Sequence, residues 1–193
     1  MHNFTYSEKI SDCAVDYDLL LAQLEAVTEG ESNTIANLAN ASAILNMCLQ
    51  NINWVGFYLV HDNQLVLGPF QGKPACIRID FCKGVCGTAA ATDCTQVVTD
   101  VHQFPGHIAC DSASNSEIVI PLHHQGKVIG VLDIDSPLIA RFTETDKIGL
   151  ESCARLLESA CDRNCPYNTS CPSIPSKEIV FSLPSFIFTT TGP

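Results

Sequence analysis

The chain has 193 residues, 46% of them hydrophobic and 16% charged, which is enough apolar content to bury a full core and excludes a disordered acidic chain. Its length suits one domain with extensions, and a formal net charge of -11 excludes nucleic acid and anionic membrane surfaces, which need clustered Lys and Arg. Residues 1–13 lack the apolar stretch of a secretory signal and no apolar run is long enough to span a bilayer, so the 11 cysteines are expected as reduced thiols in the cytoplasm.

The first predicted element is a helix over residues 6–30, with Val15, Leu19, Leu20, Ala22, Leu24 and Val27 as its apolar positions and Gly30 as its stop. A second helix follows, capped by Ser32 or Asn33, with Ile35, Leu38, Ala39, Ser42, Leu45, Cys48 and Leu49 on one apolar face. Residues 53–60 and 64–68, around the turn His61, Asp62, Asn63, read as a β-hairpin. In the first of these strands Trp54, Gly56 and Tyr58 point to one face and Val55, Phe57 and Leu59 to the other. Both sets suit a core, and the glycine between Trp54 and Tyr58 also leaves room for an aromatic pocket wall.

A third strand is expected at residues 75–79, then a turn on Gly84 and an alanine-rich helix from Gly87 or Thr88. A thiol at a helix N-terminus has its thiolate stabilised by unpaired amides, so Cys86 is a candidate reactive cysteine, aided by Lys83. A weak strand at residues 96–98 leads to a loop in which Cys110 follows a Gly-His turn and precedes the small polar residues 111–116. Residues 117–122 read as a buried strand closed by Pro121, with Glu117 at its entrance beside the thiol. Gln125 and Gly126 turn the chain into a last strand over residues 127–136. There Asp133 and Asp135 share a face, which is costly unless that face lines a wet pocket or binds a cation. Thr143 caps the final helix, which runs to about Arg163, and Asp146 stands at its third position. The order is two helices, three strands, a short helix, three strands and a helix. It makes an α+β domain with a central, mainly antiparallel six-stranded sheet and helices segregated to one side. The domain is assigned to residues 1–163, and the Pro-, Ser-, Thr- and Cys-rich residues 164–193 to an irregular tail.

The segments NWVGFYL, LVLGPFQGKPAC, GVCGTA, DVHQFPGHIACDSASNSEIVIPL and GVLDIDS, in this order and at these separations, resemble the free methionine-(R)-sulfoxide reductase family, a GAF-type domain used as an enzyme. The likeness runs from about residue 32 to residue 157 and leaves the tail uncovered. It implies a GAF-like fold and reduction of free L-methionine (R)-S-oxide, with Cys110 as nucleophile and Cys86 and Cys76 as partner thiols. It also implies a substrate pocket of Trp54, Tyr58, Glu117, Asp133 and Asp135, recycling by thioredoxin, a role in methionine repair under oxidative stress, no cofactor, and a tendency to form homodimers. The residue types suit that chemistry. A thiolate attacks the sulfoxide sulfur, and crowded carboxyl groups such as Glu117 and Asp135 keep a proton for the oxygen while the remaining charge holds the substrate ammonium. With no arginine placed for the substrate carboxylate, backbone amides of residues 111–116 are expected to bind it. The resemblance replaces Cys86 by Cys110 as the attacking thiol and makes Cys86 the resolver. Cys82 and Cys94 depart from the family pattern, so the resolving thiol stays open among Cys86, Cys76, Cys82 and Cys94.

Two other readings compete. One is a non-catalytic GAF module that senses a small ligand. The other is a zinc site of His102, His107 and Cys110 near Cys86, whose spacing matches no standard set, so no metal ligand is assigned.

Overall fold

Parity along the strands divides the interior of the computed structural model, which describes residues 15–108 and 111–161. Two helices, α1 (Tyr17–Thr28) and α2 (Thr34–Cys48), precede the hairpin β1 (Trp54–His61) and β2 (Gln64–Gly72). Then come β3 (Arg78–Asp80), α3 (Gly84–Thr92), β4 (Gln96–Val98), a 3-10 turn (Val101–Gln103), β5 (Ser116–His124), β6 (Lys127–Ser136) and α4 (Glu144–Cys161). The strands form one six-stranded sheet in the order β3-β2-β1-β6-β5-β4, antiparallel at every pairing.

The alternation in β1 holds as the sequence predicts. Val55, Phe57 and Leu59 join Ile118, Ile120, Leu132 and Ile134 in an apolar layer covered by α1, α2 and α4. Trp54 and Tyr58 face the other way, into a second layer with Val119, Val131, Ile79, Val85 and Cys86 of α3. The helices therefore do not all lie on one side. α3 is too short and too small-chained to cover a sheet, and among the described residues it is the only α-helix on the second face, with a loop-built pocket beside it.

Both hairpins turn through paired left-handed residues, Asp62 with Asn63 and Gln125 with Gly126, the backbone that matches strand twist. Several boundaries differ from those expected. β5 does not close at Pro121 but runs on to His124, because pairing with β4 stops at Val119 and the outer side beyond it needs no N–H. α3 starts at Gly84, a turn earlier than expected, and β3 starts at Arg78. In α2 the buried face carries Ala41 and Ile44, whereas Ile35 and Ala39 are exposed. α1 starts at Tyr17 rather than near residue 6, because Asp16, in an extended conformation, caps it by accepting from the Leu19 amide; residues 6–14, Cys110 and the tail lie outside the described residues.

Candidate active site

The same parity that sorts the core brings the acids together. Glu117 pairs with Asp135 across β5 and β6, and Asp133 pairs with Gly56 of β1 and Val119 of β5, so all three carboxyl groups project from the face that carries α3. α3 enters this face with Cys86 in its first turn. Its close approach depends on Gly87, where a Cβ would sit 2.2 Å from the Asp80 carbonyl oxygen. The Cys86 thiol lies 3.9 Å from Glu117 Oε1, and Cys86, Glu117 and Asp133 each place one donor atom within 4.8 Å of the others. A pocket opens over them, lined by Ile79, Val85, His107, Ile108, Asp111 and Ser114.

Burial sets the charge state. Glu117 is held well above the usual carboxylate range, first by desolvation and then by the nearby charges of Asp133 and Asp135. Asp135 is raised too, by burial and by Asp133, against a hydrogen bond from Ser114. Asp133 rises to about 6 through burial, with hydrogen bonds to Cys86 and Glu117 working the other way. The three acids therefore titrate as one coupled set in which burial and mutual repulsion favour holding protons above the ordinary carboxylate range. The Cys86 thiol is pushed well up by burial and by all three acids. This overturns the helix-terminus expectation: Cys86 is held as a thiol, and Lys83 is exposed and does not figure among the groups that act on it.

The loop over residues 111–116 is tied down on the opposite wall. Asn53 Nδ2 donates to Asp111 Oδ2 at 3.2 Å and to Ser114 Oγ at 3.0 Å, and Lys73 Nζ lies 3.2 Å from Asp111 Oδ1. Asp111 is accordingly held below the ordinary carboxylate range, chiefly by the Ala113 amide. That amide, the Ser114 amide and the Asn115 amide donate to Asp111 Oδ1, Asp111 O and Ser136 O respectively. Three of the amides expected to receive a substrate carboxylate are thus already committed within the protein. His107 Nε2 stands 3.9 Å from Glu117 Oε2, with its ring held below the usual histidine range by burial and by His102.

The other residues singled out from the sequence fall around this centre. Trp54 and Tyr58 are both fully buried on the α3 face and are not among the described residues that line the pocket. The indole stacks between Tyr58 and Phe70, at 5.9 Å and 5.3 Å, and donates to Lys73 O, while the Tyr58 hydroxyl donates to Cys76 O. The core reading of this face holds beside Gly56, where a Cβ would meet Phe70 Cβ at 2.4 Å and the Trp54 ring at 2.6 Å, and the alternative of open room there does not. Cys76 is half-buried, and Cys82 and Cys94 are exposed. His102 is bound to Asn115 Oδ1 rather than turned toward His107 as a ligand partner. Sequence reasoning missed Asn53 and Phe70, since nothing local marks an amide that spans 58 residues or a ring that packs across a bulge.

Residues 39–162 match the GAF domain family. The free methionine-R-sulfoxide reductase of Escherichia coli is 52% identical over 152 residues, covering 79% of this chain and 88% of that protein. The free methionine-R-sulfoxide reductase of Saccharomyces cerevisiae is 47% identical over 150 residues, 74% of this chain and 83% of that protein. Among solved structures, the free methionine-R-sulfoxide reductase of Neisseria meningitidis in complex with its substrate superposes with a TM-score of 0.78 at 48% identity, covering 84% of this chain and 97% of that one.

Proposed function

Since the chain belongs to the free methionine-R-sulfoxide reductase family of GAF-domain proteins, we propose that it reduces free L-methionine (R)-S-oxide to L-methionine by thiol chemistry within a catalytic domain spanning residues 1–163. One observation carries the mechanism: a carboxyl group, Glu117, whose burial favours its protonated form, and a thiol, Cys86, lie 3.9 Å apart in the lining of a pocket that also includes Asp111 and Ser114 of the loop that follows Cys110.

In this reading the Cys110 thiolate attacks the substrate sulfur, and Glu117 donates its proton to the sulfoxide oxygen. The substrate sulfur gains two electrons and departs as methionine, and Cys110 keeps the oxygen as a sulfenic acid. Cys86, held as a thiol, condenses with that sulfenic acid. A disulfide forms and the oxygen leaves as water. A thioredoxin-type dithiol then takes the disulfide by exchange and returns both thiols, which fits a cytoplasmic enzyme. Asp133 supplies the negative charge for the substrate ammonium, and Asp135 acts as a second proton store. Trp54 and Tyr58 pack in the same layer as Cys86. A homodimer is the expected assembly, to be checked by light scattering.

The test is methionine production from the separate R and S epimers of the free sulfoxide with dithiothreitol, and from a peptide-bound sulfoxide. Turnover of the free R epimer alone is expected. Cys110→Ser should abolish it, and Cys86→Ser should still release about one methionine per enzyme but fail to recycle with thioredoxin. No turnover from folded, reduced protein would turn the reading toward a ligand-sensing GAF module.

A further inference from the structure

The carboxyl-thiol cluster has a second property that acid chemistry does not require. Asp133 is only 6% exposed, and its Oδ1 is buried with no hydrogen-bond partner among the described residues. A buried acceptor left open is costly, and here it belongs to a set that a metal ion would satisfy. Cys86 Sγ and Glu117 Oε1 are 3.9 Å apart, Asp133 offers an oxygen within 4.8 Å of both, and His107 Nε2 stands 3.9 Å from the second Glu117 oxygen. In tetrahedral zinc, bonds of about 2.3 Å to sulfur and about 2.0 Å to oxygen put neighbouring donors roughly 3.5 Å apart. The Cys86–Glu117 edge is within a few tenths of an ångström of that spacing, and His107 flanks it from the other Glu117 oxygen. Binding must release the protons of Cys86 and Glu117 to solvent, and the resulting thiolate, imidazole and two carboxylates select a zinc-type ion over magnesium or calcium.

We propose that the reduced protein binds one zinc-type divalent cation at Cys86, Glu117, Asp133 and His107, as an inhibitory site rather than a cofactor site. This site follows from side-chain positions alone. The inhibition rests on the reductase reading, because a bound ion withholds both the resolving thiol and the Glu117 proton.

The experiment is a cobalt(II) titration of the full chain, reduced and then freed of thiol reductant under anaerobic conditions, followed by displacement with zinc. The expected result is a thiolate-to-cobalt charge-transfer band that saturates at one equivalent, is removed by zinc, and is untouched by magnesium. The band should be lost in Cys86→Ser and kept in Cys82→Ser and Cys94→Ser. In Asp133→Asn the affinity should fall by about tenfold or more. Absence of the band from folded wild-type protein overturns the site, and so does a band of full intensity in Cys86→Ser, which would put the metal on another thiol. Should Cys86→Ser fail to fold by circular dichroism, unchanged affinity in the near-isosteric Asp133→Asn is the overturning result. Methionine production is not the readout, so a protein without reductase activity can still pass or fail.

Discussion

Cys86 occupies the helix position at which a thiol is ordinarily acidified, yet its surroundings hold the proton on. A helix terminus stabilises a thiolate by about 0.3–1 kcal/mol, rising to about 2 kcal/mol in buried geometry, whereas full desolvation moves a pKa by up to about 3–5 units. Three acids at hand add to the second effect, so the carboxyl pocket wins. Labelling with iodoacetamide near neutral pH, read by mass spectrometry, should therefore modify the exposed Cys82 and Cys94 first and leave Cys86 and the core thiol Cys153 last. Equal rates at Cys86 and Cys82 would contradict the protonated, buried thiol. The sequence places Cys86 in its turn but cannot show this outcome, because the deciding groups, Glu117, Asp133 and Asp135, are 31 or more residues away and meet it only through strand parity. Gly56 is the converse case. Its spacing between Trp54 and Tyr58 is legible, but whether the gap holds a ligand or a ring is not, and the structure fills it with the indole and Phe70. Gly56→Ala should accordingly destabilise by about 1–3 kcal/mol in urea unfolding, as an overpacked core does. A neutral effect would mean that the indole has space to move.

Elements whose signals are local are the ones the sequence displays. The start of α4 is such a case: Thr143 Oγ1 accepts from the Asp146 amide, and Asp146 Oδ2 accepts from the Thr143 amide at 2.8 Å, the reciprocal pair expected from residues three apart. The two-residue turns of both hairpins are equally local. The buried face of α2 is less so, since Ala-rich helices pack through small residues and apolar spacing does not separate Ala39 from Ala41. What is not local about the α4 cap is its reach, because Asp146 Oδ1 also accepts from the Tyr17 hydroxyl of α1, and Oδ2 from Arg141. Asp146→Ala should cost about 2–3 kcal/mol through the lost cap and the stranded donors. In a domain of this size that is a fall of roughly 5–10 °C in Tm. Its pH dependence has a defined sign. Burial raises the Asp146 pKa, but the hydrogen bonds from Thr143, Tyr17 and Arg141 outweigh it, and the carboxyl group titrates below its unfolded value. Its contribution is then fully present above about pH 4, the unfolded range, and disappears as pH falls through the native value. The stability gap between wild type and Asp146→Asn should be constant from pH 7 to pH 5 and shrink below pH 4. A gap that widened on acidification would show that the charged form is not the one being stabilised.

At the scale of the whole molecule, one sheet does two jobs on its two faces. Among the described residues the layer under α1, α2 and α4 holds most of the buried apolar side chains, and the layer under α3 holds the cluster of Cys86, Glu117 and Asp133. The count and order of elements are readable from the sequence. The assignment of α3 to the opposite face is not, because helices this short lack a measurable apolar stripe and are placed by contacts distant in sequence. The same division bears on where the working unit ends. α4 packs on α1, α2 and β5 and contributes Leu150, Cys153, Ala154, Leu157 and Cys161 to the first layer, Cys161 being its last member among the described residues. The GAF match ends at residue 162, and Asp135 is the last of the described residues that line the pocket. Residues 164–193 lie beyond both the GAF match and the described residues. A chain ending at Arg163 should retain a cooperative unfolding transition and keep kcat/KM for the free R-sulfoxide within about twofold of the full chain, the range expected of changes away from core and site. A much larger loss of activity with the transition intact would assign the tail to substrate access. Loss of the transition itself would assign it to the outer side of α1 and α4, where Ala22, Glu25, Leu156 and Ala160 border a groove.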